Sequence, residues 1–124
     1  MKYSIDELFE MISWNSTEEI QQVGIAEAKK YKYLSVFMRP IESKSVWENC
    51  AKIISSKTDS ELERYLPELF QWLQDMNWPG ADIIYTRLKS MSHDKIQLAY
   101  SLSVIKAQKL EDRVWLEVLK SFNQ

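Results

Sequence analysis

Leu62, Leu66, Leu69, Leu73 and Met76 follow one another at alternating steps of four and three residues. That spacing places five apolar side chains on one face of an α-helix and is the signature of a buried helical stripe. Shorter stretches with the same period recur along the 124-residue chain, which contains only two glycines and three prolines. A protein of many short strands needs turn residues every few positions, so this scarcity favours long helices. The length suits one domain spanning residues 1–124 with one hydrophobic core. The fold class expected is all-α, with about six to seven helices as antiparallel pairs, arranged as a HEAT-like short α-solenoid or an irregular bundle.

Boundary signals divide the chain as follows. Ser4 with Glu7 three residues on predicts a capping box for a helix over 5–12. Ser16 predicts the cap of a second helix running to about Met38, with Ile20, Val23, Tyr31 and Leu34 on one face and Gly24 inside it. A third helix starts at Ser45 and carries Val46, Trp47, Cys50, Ile53 and Ile54. Pro67 falls within the 62–76 stripe, either as a kink or as a restart; the unbroken phase of the stripe favours the kink. Met76 to Gly80 predicts a tight turn built from Asp75, Asn77, Pro79 and Gly80, with Asn77 capping a fifth helix. Its stripe is Ala81, Ile84, Leu88 and Met91. A sixth helix groups Leu98, Leu102 and Ile105, and a seventh, from Asp112, groups Trp115, Val118, Leu119 and Phe122.

Two segments are distinctive. Leu66 to Ala81 contains the string WLQDMNWPGA, and Val46 to Ile53 reads VWENCAKI. Together they resemble the signature of a bacterial family of uncharacterised HEAT-like domains. The resemblance implies an all-α fold of packed helix pairs and no assigned enzymatic activity. Similar small helical-repeat proteins in bacteria serve as binding partners, some as immunity proteins that neutralise a toxin.

The side-chain inventory removes several function classes. The net charge is −2 and the pI about 5.5, and beyond Lys29, Lys30 and Lys32 the cations are scattered. Nucleic-acid binding, which draws its affinity from a basic stripe, is not expected. The uncharged stretch from Ile96 to Ile105 is too short to span a bilayer, and MKYSIDELFE has acids where a secretory leader is apolar, so neither a membrane nor export is expected. A single cysteine points to a reduced, cytoplasmic setting. Two widely separated glycines cannot form a phosphate-binding loop, and one histidine cannot form a paired zinc site. His93 reads as a surface or capping residue and Cys50 as a small core hydrophobe. Asp75-x-Asn77 begins like a calcium loop but fails at Pro79 and at Thr86, where a bidentate acid is needed. Glu18-Glu19 and Asp59, Glu61 and Glu63 sit at helix starts, where acids complement the dipole. No catalytic residue, cofactor or metal is therefore expected.

The aromatic residues are the remaining lead. Trp72 belongs with the apolar stripe, whereas Trp14, Trp47 and Trp78 fall in or beside loops. Such tryptophans either clamp the corner of a helix pair or stand half-exposed as anchors for a partner. The leading expectation is a non-enzymatic protein–protein interaction module with another protein as partner, an immunity or antitoxin-like role being one version. The alternative is a small enzyme with a carboxylate and aromatic cleft between helix pairs.

Overall fold

The structure is a computed structural model that describes residues 2–41 and 43–122. Among these residues every regular element is helical. Helix α1 (Ile5–Ile12) opens with the capping box expected: the Glu7 amide donates to Ser4 Oγ at 3.1 Å and the Ser4 amide donates to Glu7 Oε1 at 2.9 Å. Helix α2 (Glu18–Ala28) is capped by Thr17 instead of Ser16, whose hydroxyl turns back to donate to the Glu10 carbonyl.

The second helix is ten residues shorter than the sequence suggests. It stops at Ala28, and Leu34–Phe37 forms a separate 3₁₀ turn. Tyr31 and Phe37 meet edge-on, and Phe37 meets Phe9 of α1 in the same manner. Seating these rings against α1 draws the chain off the helical course. Ile20 and Val23 are consequently exposed, and the buried residues of α2 are Gly24, Ile25 and Ala28.

Helix α3 (Trp47–Ser55) follows a 3₁₀ turn over Lys44–Val46 and buries Trp47, Cys50, Ile53 and Ile54. The long stripe is divided into α4 (Asp59–Leu62), a 3₁₀ turn over Glu63–Tyr65 and α5 (Leu66–Trp72). Pro67 therefore marks a restart in the first turn of α5, where its missing N–H costs nothing, and the expected kink gives way to a reset of the ladder. The stripe survives the reset, with Leu62, Leu66, Leu69 and Leu73 all buried. Helices α6 (Ala81–Lys89), α7 (His93–Lys109) and α8 (Arg113–Phe122) complete the chain. Asp112 caps α8, accepting from the Trp115 amide at 3.0 Å.

Helix α1 pairs with α2. Further along, α3 packs on α6, α5 packs on α7 and α7 packs on α8. The buried side chains form one continuous cluster from Leu8 to Phe122. Two polar links join remote segments across it. The Asn49 amide donates from Nδ2 to the Ile12 carbonyl at 2.7 Å and to Gln21 Oε1 at 2.9 Å, tying α3 to the α1–α2 pair. Arg87 donates from α6 to the Ser55 and Lys57 carbonyls and to Asp59 Oδ1, fixing the α3–α4 corner.

Candidate functional site

The most distinctive residues of the sequence converge on one corner of the fold. Trp47 lies edge-on to Trp72 at 6.2 Å between ring centroids and to Trp78 at 5.7 Å. Each fully or largely buried indole has its N–H satisfied: Trp47 Nε1 donates to the Pro40 carbonyl at 2.7 Å, and Trp72 Nε1 donates to the Pro79 carbonyl at 3.1 Å. Gly80 closes the corner with φ +85°, and a Cβ there would stand 2.7 Å from Ala51 Cβ and 2.9 Å from the Trp47 carbonyl oxygen. The turn before it is an Asx turn in which the Asn77 amide donates to Asp75 Oδ1 at 2.8 Å. Gly80, not Asn77, is the residue immediately ahead of α6.

This geometry gives the tryptophan-rich motif a packing role. Trp47, whose loop-proximal position left open either a corner clamp or a half-exposed anchor, is buried with only 5% of its surface exposed. Trp78 is partly buried against the core. Arg39 covers it, with the guanidinium carbon 5.4 Å from the ring. Arg39 has φ +48°, a left-handed conformation uncommon outside glycine. Burial pushes its guanidinium below the ordinary value, and the Glu68 carboxylate opposes that shift. Nothing in the sequence marked Arg39, because backbone sign and stacking are set by tertiary contacts. Trp14, by contrast, remains 57% exposed.

A cleft of about 500 Å³ lies beside α1, lined by Asp6, Phe9, Glu10, Ser13, Asn15, Pro40, Ser43, Ser45 and Val46. Three hydroxyls are linked across it: Ser13 Oγ donates to Ser45 Oγ at 3.0 Å, and Ser45 and Ser43 Oγ are 2.5 Å apart. Asp6 and Glu10 are exposed to solvent. Among the described residues the lining has no histidine, lysine or cysteine, so no hydroxyl there has an imidazole or amine to activate it.

The other reactive groups stand apart from this cleft. His93 is exposed at the start of α7. Cys50 is fully buried, and burial raises its thiol to about 12, which suits a core residue. Glu61 belongs to a second capping box with Thr58, and Glu18 and Glu19 occupy the first turn of α2. Among the described residues no group of three or more histidine, cysteine or acidic side chains could hold a metal ion, and no helix is long and apolar enough to cross a membrane.

The outer face of α7 carries an exposed apolar row. Leu98, Leu102 and Ile105, read from sequence as a core stripe, do share a face, but it looks outward: they are 72%, 53% and 46% exposed. The inward face uses Ile96, Ser103 and Ala107, small enough at the last two positions for α5 and α8 to approach closely. Between α7 and the Glu63–Pro67 segment runs a groove of about 310 Å³, into which Leu98 and Leu102 project. Sequence periodicity located the stripe; only the packing reveals which side of the helix is covered.

The tryptophan-locked corner and the exposed apolar row on α7 belong to an all-α domain. A family described as domain of unknown function (DUF5071) matches residues 43–124, and the chain belongs to it. The matched span includes both distinctive segments and helices α3 to α8, while α1 and α2 lie ahead of it. No curated protein and no solved structure matches the chain.

Proposed function

We propose that the protein is an interaction module, not an enzyme, and that it docks another protein on the outer face of α7. The observation carrying this reading is the run Leu98, Leu102 and Ile105, large aliphatic side chains one turn apart and about half or more in solvent. Singly exposed hydrophobics are ordinary, but an aligned row along a groove is how helical surfaces receive partners. Burying each such side chain contributes about 1.5–3 kcal/mol, enough for a few residues to anchor a complex. Trp14, an exposed aromatic between α1 and α2, is a candidate for a separate contact. An immunity-like role is one form of this activity and would require the partner to be a toxin. The enzymatic alternative finds carboxylates and hydroxyls together in the α1 cleft, but Asp6 and Glu10 are solvated and no imidazole or amine stands beside the hydroxyls.

The test is affinity capture from the cells that make the protein, using wild type and the Leu98→Gln/Leu102→Gln variant. A partner retained by wild type and lost by the variant is expected. Capture unaffected by the variant moves the site elsewhere, and no specific capture by either protein overturns the reading.

A further inference from the structure

We infer that the segment docking on α7 is an acidic amphipathic helix of another protein, an inference that rests on the docking role proposed above. Helical spacing places Lys95 three residues before Leu98 and Lys109 four residues after Ile105, so both lie in line with the apolar row. Lys106 stands one turn beyond Leu102, and Arg64 lines the opposite wall of the groove. All four cations are exposed. The acids of this face are Glu63 in the groove and Asp94 at the N-terminal turn of α7, where the helix dipole suits a carboxylate. Lys106 and Lys109 suit the opposite end of the same dipole, and Lys106 Nζ also reaches Gln71 Oε1 at 3.4 Å. The face is thus cationic on a chain whose net charge is −2.

That charge selects among occupants. A second copy of the chain docking by this face would bring lysine against lysine, and like charges across an interface disfavour the pairing. A flat bilayer would meet the ridge of α7 but leave the groove beside it unfilled. A helix fills a groove with its own ridge, presenting apolar residues at i, i+4 and i+7. Acidic side chains flanking that ridge would meet Lys95, Lys106, Lys109 and Arg64. The chemistry required of the partner is therefore an aliphatic row bordered by glutamate or aspartate.

Three synthetic helices matched to α7 in length test this, sharing one leucine ridge and flanked by Glu, Gln or Lys. Binding to the isotope-labelled full chain is followed by amide shifts and fluorescence anisotropy. The Glu-flanked helix is expected to bind about tenfold more tightly than the Gln-flanked one, with the gap closing at high salt. Shifts should centre on residues 95–109. The Lys95→Glu/Lys106→Glu/Lys109→Glu variant should prefer the Lys-flanked helix, which guards against a general stickiness of acidic peptides. Equal affinity for the three helices overturns the acidic preference while leaving α7 as a docking face. The preference is also overturned if α7 responds to phosphatidylserine vesicles but not to peptides, or if Leu98→Gln abolishes a concentration-dependent dimer. If no helix perturbs α7 although Leu98→Gln/Leu102→Gln still abolishes cellular capture, the helical form of the partner is wrong. If cellular capture is unaffected as well, the docking role fails with it.

Discussion

Replacing Gly80 by alanine tests the central packing claim, that the tryptophan corner joins α3 to α6. Two costs arise from separate features of the site. The backbone φ of +85° is one that a residue with a Cβ adopts at a cost of about 1–2 kcal/mol. The new methyl would also lie 2.7 Å from Ala51 Cβ and 2.9 Å from the Trp47 carbonyl oxygen, both fixed to the body of α3. Neither can swing aside as a flexible side-chain end would, and overpacking of this kind costs about 1–3 kcal/mol. The combined loss of about 2–5 kcal/mol is a large share of the roughly 5–15 kcal/mol available to a small domain. In urea the midpoint should fall by about 1–3 M with an unchanged slope. Gly80→Asn separates the two costs, because asparagine tolerates the left-handed region yet keeps the Cβ; it should recover only part of the loss. Gly24→Ala supplies the contrast. Its Cβ would also be crowded, 2.8 Å from Met11 Cβ and 2.9 Å from Ile12 Cγ2, but the site is helical and alanine gains about 1 kcal/mol in propensity there. A Gly80→Ala midpoint within about 0.3 M of wild type, or a larger loss at Gly24 than at Gly80, would refute the reasoning.

Further outcomes follow from single contacts. Asn49→Ala strips the Ile12 carbonyl and Gln21 of their buried donor and should cost about 1–3 kcal/mol in urea unfolding; a neutral result would mean water replaces the amide. Cys50, with its thiol raised to about 12, should react with an aromatic disulfide reagent near pH 8 only as fast as the fold opens, and urea should accelerate the reaction. Labelling of native protein at the rate of a free thiol would contradict its burial. Glu7 is held below its ordinary value of 4.5 by the Ser4 amide first and the Ser4 hydroxyl second. Its charged form is therefore favoured in the folded state. The stabilisation is present above pH 4.5 and is lost as pH falls through the folded value. Wild type should exceed Glu7→Gln in urea midpoint at pH 7, the gap narrowing below pH 4.5; a gap independent of pH would remove the charged capping box. Leu98→Gln/Leu102→Gln should shift stability by no more than about 0.5 kcal/mol, since both side chains face solvent. A loss of core magnitude would bury them and with them the docking face.

Local chemistry was legible where it acts within a few residues. The Ser4–Glu7 box, the start of the last helix near Asp112 and the Leu62–Leu73 stripe depend on spacing along one chain segment, and all three stand where the pattern placed them. Interruption by remote contacts was not legible. Lys29 to Met38 has helical composition, but there Phe37 lies in a 3₁₀ turn and packs edge-on against Phe9 of α1 and against Tyr31. Pro67 permits both a kink and a restart, and the difference lies in whether the residues ahead of it tighten into a 3₁₀ turn. At the site level, proximity of Trp47 to a loop said nothing of its partner rings. The Pro40 carbonyl that takes its N–H lies seven residues away, and the rings it meets, Trp72 and Trp78, lie further along the chain.

The placement of large and small side chains on α7 bears on what the helix is for. A helix selected only to stabilise its own domain gains by turning leucines inward, since each buried leucine contributes about 1.5–3 kcal/mol. Helix α7 does so only in part: its inner face carries Ile96 with the small Ser103 and Ala107, while Leu98, Leu102 and Ile105 stand outside. The small inner residues suit the packing of both α5 and α8 on this helix. The large outer ones suit no such packing within the monomer, where glutamate or lysine at the same positions would keep the helix and improve solubility. The tryptophan corner reads the opposite way. There the conspicuous side chains are used up by packing, with their N–H groups donated to Pro40 and Pro79. The tryptophan motif thus holds the scaffold together, whereas the plain aliphatic row on α7 is left uncovered by it.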